Sequence, residues 1–302
     1  GGGDVVQQPA QPSVEYPLNT AELDQDEQAL QQVLQSAKSQ RVPTMTQLVD
    51  LIAINELLGT VESSGDGKNA NLVAQLETES LAAKAAEFKT TTIGWIRIPN
   101  TNVDYPVVYK AGVENYAYYE SKGYDKQYSK DGVIWADYEC TFPELSQNTT
   151  LYGHNWHNIY TPRTQANMQA NDLMFSLVMS YNYTDFAQEN PFVYFSTTEQ
   201  DYVFQVFASY YTDLNFGYNY AQMSQEDFQK VIAEAKAKSL SNYNVPVTSE
   251  DKIVTLSTCT RVHGNTNNQR FVVMAKLVPV GTPSTTISTH SNPIAYNSSI
   301  DA

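Results

Sequence analysis

Charge is scarce in this chain, and basic charge is the scarcest part of it. Lys and Arg number 18 against 33 Asp and Glu in 302 residues, which leaves a net charge of −15 and a pI near 4.6. A protein this acidic lacks the basic footprint with which nucleic-acid binders neutralise phosphates, so no nucleic-acid partner is expected. Long apolar runs are also missing. The longest, Leu48 to Leu58, is interrupted by Asp50, Asn55 and Glu56 and is too short to span a bilayer. No secretory leader is legible. The opening Gly1-Gly2-Gly3 reads as a scar or truncation point, and a membrane anchor is expected to have been removed upstream.

Cysteine is limited to Cys140 and Cys259. In an extracellular protein such a pair can form one bridge, and that bridge would consume any nucleophilic thiol. Metal-site spacing is nearly absent. His154 and His157 could join Cys259, but a zinc site needs three or four ligands and no other Cys or His is suitably spaced. No metal and no cofactor are expected.

What is present is polar, aromatic and patterned. Hydrophobic residues make up 41%, enough for a core, and 21 tyrosines accompany them. Residues 1–18 are rich in Gly, Pro and Gln and read as a flexible lead-in. Residues 19–89 read as helical. Leu23, Leu30, Val33 and Leu34 recur at helical spacing, Thr44 to Leu58 forms a second segment, and a third, rich in Ala, Leu and Glu, ends at Phe88. From residue 90 to 280 the period changes to that of strands. The runs are Ile93–Ile98, Val103–Tyr109, Gly132–Ala136, Thr149–Tyr152, Pro191–Ser196, Tyr202–Tyr211, Lys252–Ser257 and Arg270–Val280. Helical insertions are expected near Asp172–Tyr181 and over Gln225–Ala237, the latter capped by Ser224. The fold class is therefore mainly β with helices, built as a barrel or sandwich. Residues 281–302, rich in Ser, Thr and Asn, are expected to be a disordered tail.

Three residue types of chemical interest fall at strand ends. Cys259 closes Lys252-Ile-Val-Thr-Leu-Ser-Thr-Cys259. A polar loop with Gly264 follows, and Arg270 opens the next strand. If the two strands pair as a hairpin, the guanidinium lies beside the thiol, an electropositive setting that suits a reactive cysteine. His154 ends another strand, after Gly153. Taken singly, such a His is more often an ordinary loop residue and such an Arg a solvated one. His263 lies in the Cys259 loop as a rival base, His290 is expected to be solvated, and Cys140 is expected to be a free or half-buried thiol.

Leu256-Ser-Thr-Cys259 with a following Arg270 resembles the TLxTC…R signature of sortases, and Leu151-Tyr-Gly-His154-Asn155 resembles their histidine motif. The segments Ile93-Gly-Trp-Ile-Arg-Ile-Pro99 and Val103-Asp-Tyr-Pro-Val107 resemble the opening strands of the sortase barrel. Class B is the best match, given the preceding helices, the helix before the Cys strand, and Glu114–Tyr119, which resembles a class B segment whose Asn contacts substrate. One departure is that many class B members carry an Asp two residues after the cysteine, where this chain has Arg261.

The resemblance implies a closed eight-stranded barrel with Cys259 as nucleophile, His154 as proton-transfer partner and Arg270 as stabiliser of negative charge. Asn115, Tyr119, Ser257, Thr258 and the run Tyr210–Tyr220 would line the substrate groove, although each could instead be ordinary packing. The implied partners are surface proteins bearing a sorting signal, and an amine of a peptidoglycan cross-bridge or a pilin Lys. The implied location is the extracellular face of a Gram-positive membrane. Two other readings stand beside this one: a non-catalytic binding module on the same barrel, and a hydrolytic cysteine peptidase.

Overall fold

The computed structural model describes residues 92–112, 118–123, 128–197 and 199–300. The lead-in, the expected N-terminal helices and Asn115 lie outside the described residues. Eight strands close a barrel: β1 (Thr92–Arg97), β2 (Asp104–Val108), β3 (Ile134–Ala136), β4 (Asn148–Tyr152), β5 (Phe192–Thr197), β6 (Asp201–Asp213), β8 (Ile253–Cys259) and β9 (Gln269–Val278). Their order around the barrel is β1-β2-β3-β4-β8-β9-β6-β5, with β5 returning to β1. Each strand overlaps one of the β runs legible in the sequence. The long β6 and β9 pair antiparallel from Val203↔Val278 to Asp213↔Gln269. Alternation explains β1, where Thr92, Gly94 and Ile96 face inward while the residues between them are half-buried. The core between the walls holds Ile96, Leu151, Phe175, Phe195, Phe204, Phe207, Leu256 and Phe271, all 2% exposed or less.

Helix α2 (Gln225–Lys238) confirms the expected insertion. Ser224 caps it by accepting from the Asp227 N–H at 3.1 Å, and Glu226 and Asp227 occupy the first turn. Phe228, Ile232 and Ala235 form its buried face, as the helical spacing requires. The other insertion is less regular than expected. It is a 3-10 stretch, Ser176–Asn182, followed by the short helix α1 (Thr184–Glu189). Leu177, Val178, Met179 and Tyr181 are all buried there, so burial on every side rather than helical amphipathicity shapes the segment.

The tail corrects the sequence reading. Instead of being disordered, residues 281–300 lie along α2 and the strand after it. Short strands β7 (Ser241–Asn242) and β10 (Ser288–Thr289) pair antiparallel. The carbonyls left over at the end of α2 find their donors here. Ala237 O accepts from Ile294 N at 3.0 Å, Leu240 O from His290 N at 2.9 Å, and Ser239 O from His290 Nδ1 at 2.6 Å. His290 is thus bonded rather than merely solvated. Lys238, 3% exposed, donates its ammonium to the carbonyls of Tyr296, at 3.0 Å, and Ser298. A polar composition hid this, because the tail is held mainly through its backbone and needs few apolar side chains.

Ile287 is the apolar anchor of the tail, 7% exposed and part of the main core. Ile287→Ala should therefore cost about 2 kcal/mol or more, which lowers the melting temperature by about 4–8 °C in a domain of this size. Thermal unfolding measures this, and an unchanged midpoint would return the tail to the disordered class.

Candidate active site

Two strand pairings bring the sequence candidates to one rim. In the β8–β9 hairpin the final register pair is Cys259↔Arg270, as the hairpin argument anticipated. Strands β4 and β8 run parallel, and their final pair is Tyr152↔Ser257. His154 and Cys259 each lie two residues beyond it. Gly153 allows the turn between β4 and His154, since a Cβ there would meet Ile134 Cδ1 at 2.6 Å and the Phe175 ring at 2.7 Å. Gly132, at φ +65°, lies beside the imidazole, where a Cβ would come 3.0 Å from His154 Cδ2.

Cys259 is half-buried at its strand end, and both cysteines are free thiols, which removes the disulfide reading. Cys140 occupies the opposite kind of environment. It is 1% exposed, and burial pushes its thiol up to about 12, so it stays protonated and inert at ordinary pH. The guanidinium of Arg270 is tethered through Nη1, which donates to Asn267 O at 2.9 Å and Gln269 O at 2.8 Å.

His154 is half-buried, with its ring held on three sides. Trp156 stacks on it at 5.0 Å between centroids and 23° between planes, and Trp135 lies at 5.9 Å. Trp156 is itself pinned, its Nε1 donating to Lys130 O at 2.9 Å. His154 Nε2 contacts the backbone carbonyl of Glu120. A carbonyl only accepts, so Nε2 carries the proton in this contact and Nδ1 is the remaining basic nitrogen of the neutral ring. No sequence signal could have announced a main-chain partner.

The expected groove residues fare differently. Ser257 and Thr258, each 2% exposed, are bonded inside the barrel. The Ser257 hydroxyl pairs with Tyr218 Oη at 2.7 Å, and Thr258 Oγ1 donates to Gly153 O at 2.7 Å. Tyr119 is 3% exposed and packs with Val108 and Val133. These three side chains support the rim rather than lining an open groove, because strand alternation and β propensity say nothing about which way a rim opens. Tyr218, within the expected run 210–220, lies beneath the site. Burial pushes its hydroxyl up, while the Arg270 charge favours the ionised form and Cys259 opposes it. The rival base His263 is stacked on Tyr296 at 4.6 Å, and burial lowers its pKa. Among the described residues, no group of three or more His, Cys, Asp or Glu is placed to hold a metal.

The model of the sortase domain matches residues 96–278. The chain belongs to the sortase family. Sortase B of Staphylococcus aureus (strain NCTC 8325 / PS 47) is 30% identical over 189 residues, spanning 62% of this chain and 70% of that protein. The Staphylococcus aureus sortase B–substrate complex is 26% identical with a TM-score of 0.54, covering 70% of this chain and 92% of the other. A sortase B complexed with Gly3 is 25% identical with a TM-score of 0.54, covering 76% of this chain and 95% of the other. The sortase is thus class B-like, with the mainly β eight-stranded barrel of that class, and is a cysteine transpeptidase.

The contrast between the two thiols of this sortase is directly measurable. Iodoacetamide at pH 8 should alkylate Cys259 in the native protein and reach Cys140 only after denaturation, as read by intact mass and peptide mapping. Equal labelling of both in the folded state would contradict the assigned environments.

Proposed function

We propose that this sortase cleaves a C-terminal sorting signal after its Thr residue, holds the acyl group on Cys259 and transfers it to an amine. The observation that carries this reading is the meeting of three strand ends at one rim, with Cys259 opposite Arg270 and the His154 loop alongside. The thiolate of Cys259 attacks the Thr carbonyl, and the resulting tetrahedral intermediate collapses to a thioacyl enzyme as the amine leaves. His154 gives that leaving amine a proton and takes one from the incoming amine, with Nδ1 as the exchanging nitrogen because Nε2 is engaged by Glu120. Arg270 serves as a hydrogen-bond donor. With Nη1 tied to two carbonyls, Nε and Nη2 are the donors for the oxyanion or for the peptide backbone.

The family supports this substrate class, as do the complexes of two relatives, one with substrate and one with Gly3. The donor is a surface protein with an LPxTG-like or NPxTN-like pentapeptide. The acceptor is the amine of a peptidoglycan cross-bridge or a pilin Lys, and the place of action is the Gram-positive cell surface. Asn115 is carried over as a substrate contact on motif alone.

A panel of fluorogenic LPxTG-, NPxTN- and SPxTG-type peptides, with and without triglycine, tests the proposal. A thioacyl adduct on Cys259, resolved by the amine, should be visible by intact mass and absent in Cys259→Ala. Arg270→Lys keeps the charge but loses the planar fork, and its turnover should fall about 10²–10³-fold. Turnover that ignores added amine would make the protein a hydrolase, and a Cys259→Ala variant of full activity would overturn the assignment of the nucleophile.

A further inference from the structure

Beyond the backbone bond from Gly153 N to Ser257 O at 3.3 Å, the loop that carries His154 and the strand end that carries Cys259 are joined by two side-chain hydrogen bonds arranged reciprocally. The residue before Cys259 donates to the residue before His154: Thr258 Oγ1 to Gly153 O, at 2.7 Å. The residue after His154 donates back to Cys259 itself: Asn155 Nδ2 to Cys259 O, at 3.1 Å. Asn155 is 3% exposed, and its amide is fully engaged. Its Oδ1 accepts from Asn158 N at 3.0 Å, while Nδ2 also contacts Asn158 O and Met179 Sδ, each at 3.1 Å. The Oδ1 contact fixes which end of the amide is which, so the nitrogen must face the Cys259 carbonyl. Farther along, Arg261 N donates to Ile159 O at 2.7 Å and Thr260 Oγ1 to the same carbonyl at 3.2 Å. The whole seam keeps two stretches of chain in register beyond the point where β4 and β8 stop pairing.

We infer that Asn155 is a positioning residue of this sortase, whose carboxamide holds the Cys259 main chain against the His154 loop and so sets the distance between thiol and imidazole. It touches neither the substrate nor the reacting atoms. It acts through the carbonyl of the nucleophile on one side and the peptide link to His154 on the other. No β-ladder bond holds the two rim residues to each other, and proton transfer between such groups tolerates little displacement. An error of about 1 Å can cost about a hundredfold in rate. The inference rests on the reading of Cys259 and His154 as the catalytic pair.

Asn155→Asp is the informative substitution. It preserves size and the acceptor that folds the local turn, and it removes the donor to Cys259 O. Steady-state kinetics with a sorting peptide and triglycine should show kcat lowered about ten- to hundredfold, with KM for the peptide within about twofold of the wild type. Asn158→Ala controls for loosening of the loop. It removes the side-chain bond from Asn158 Nδ2 to Ser176 O, 2.9 Å, but leaves the backbone groups that Asn155 uses. That variant should lose thermal stability while keeping kcat. Both are assayed well below their melting temperatures, with protection of Cys140 from iodoacetamide as the check on folding. Asn155→Asp with wild-type kcat overturns the inference, and so does an Asn158→Ala variant whose kcat falls equally. If His154→Ala, Cys259→Ala and wild type turn over alike, or if the wild type turns over no peptide, the catalytic reading itself fails and takes the inference with it. Dead His154→Ala and Cys259→Ala variants beside an unimpaired Asn155→Asp defeat the positioning role alone.

Discussion

A parallel pair of strands cannot be closed by a tight turn, and β4 and β8 form such a pair at the centre of this barrel. The connection between them holds β5, β6 and α2, so the pairing joins segments about 100 positions apart in sequence. What rewards the meeting is a dry joint with a satisfied amide at its start. Leu151 and Leu256 lie opposite each other with no exposed surface. Asn148, also fully buried, donates to Tyr218 O at 2.8 Å and accepts from Thr255 Oγ1 at 2.7 Å. A buried amide satisfied on both ends specifies one register, since a shift would strand its donors and acceptors without water. The rim inherits that register. His154 and Cys259 can meet only because Tyr152 lies opposite Ser257, and Thr258 and Gly153, 105 positions apart in sequence, are bonded just above.

The two cysteines show how one residue type acquires two behaviours from position alone. Cys140 is enclosed after β3, and burial holds its thiol in the neutral form. Cys259 ends a strand, half-exposed, opposite a guanidinium. The guanidinium is not free to wander. The two carbonyls that anchor its Nη1 belong to the end of its approach loop and the first residue of β9, and that loop is folded around the Gln269 side chain. Gln269, 1% exposed, accepts from His263 N at 3.0 Å and donates to Gly264 O at 2.9 Å and Thr266 Oγ1 at 2.7 Å. A lysine at position 270 would place a charge there, but its single ammonium could not keep this anchor and also present a planar fork.

Much of this was legible in the sequence, for physical reasons that also mark where legibility stops. The eight barrel strands show as period-two or continuous apolar runs because each has at least one face in the core. The hairpin joining Cys259 to Arg270 was readable because one loop separates them. Helix α2 declared itself through its cap and buried face. The tail was misread because its order resides in backbone groups that satisfy the end of α2 and in one buried lysine, features that composition does not record. Ser257 and Thr258 were assigned to a groove because they adjoin the nucleophile, whereas the structure turns both hydroxyls inward. The role of Asn155 was hidden inside a motif quoted for its neighbour, since a contact with a carbonyl 104 positions away leaves no local pattern.

The missing acid after the cysteine is explained by the same rim. Where many class B relatives are expected to carry Asp, this chain has Arg261, and its side chain is spent on the loop. It reaches Asn267 Oδ1 at 2.6 Å and Asn265 Oδ1 at 3.1 Å, while its backbone N–H joins the seam to Ile159. The orienting task falls instead to an uncharged acceptor, the carbonyl of Glu120, with Trp156 and Trp135 limiting rotation of the ring. A carbonyl fixes the tautomer as a carboxylate would, but adds no charge that would stabilise an imidazolium. It also cannot titrate, so the orientation of His154 does not depend on the protonation of a neighbouring acid. Main-chain geometry aims the imidazole, and Arg270 alone among the three rim residues brings a permanent charge to the site.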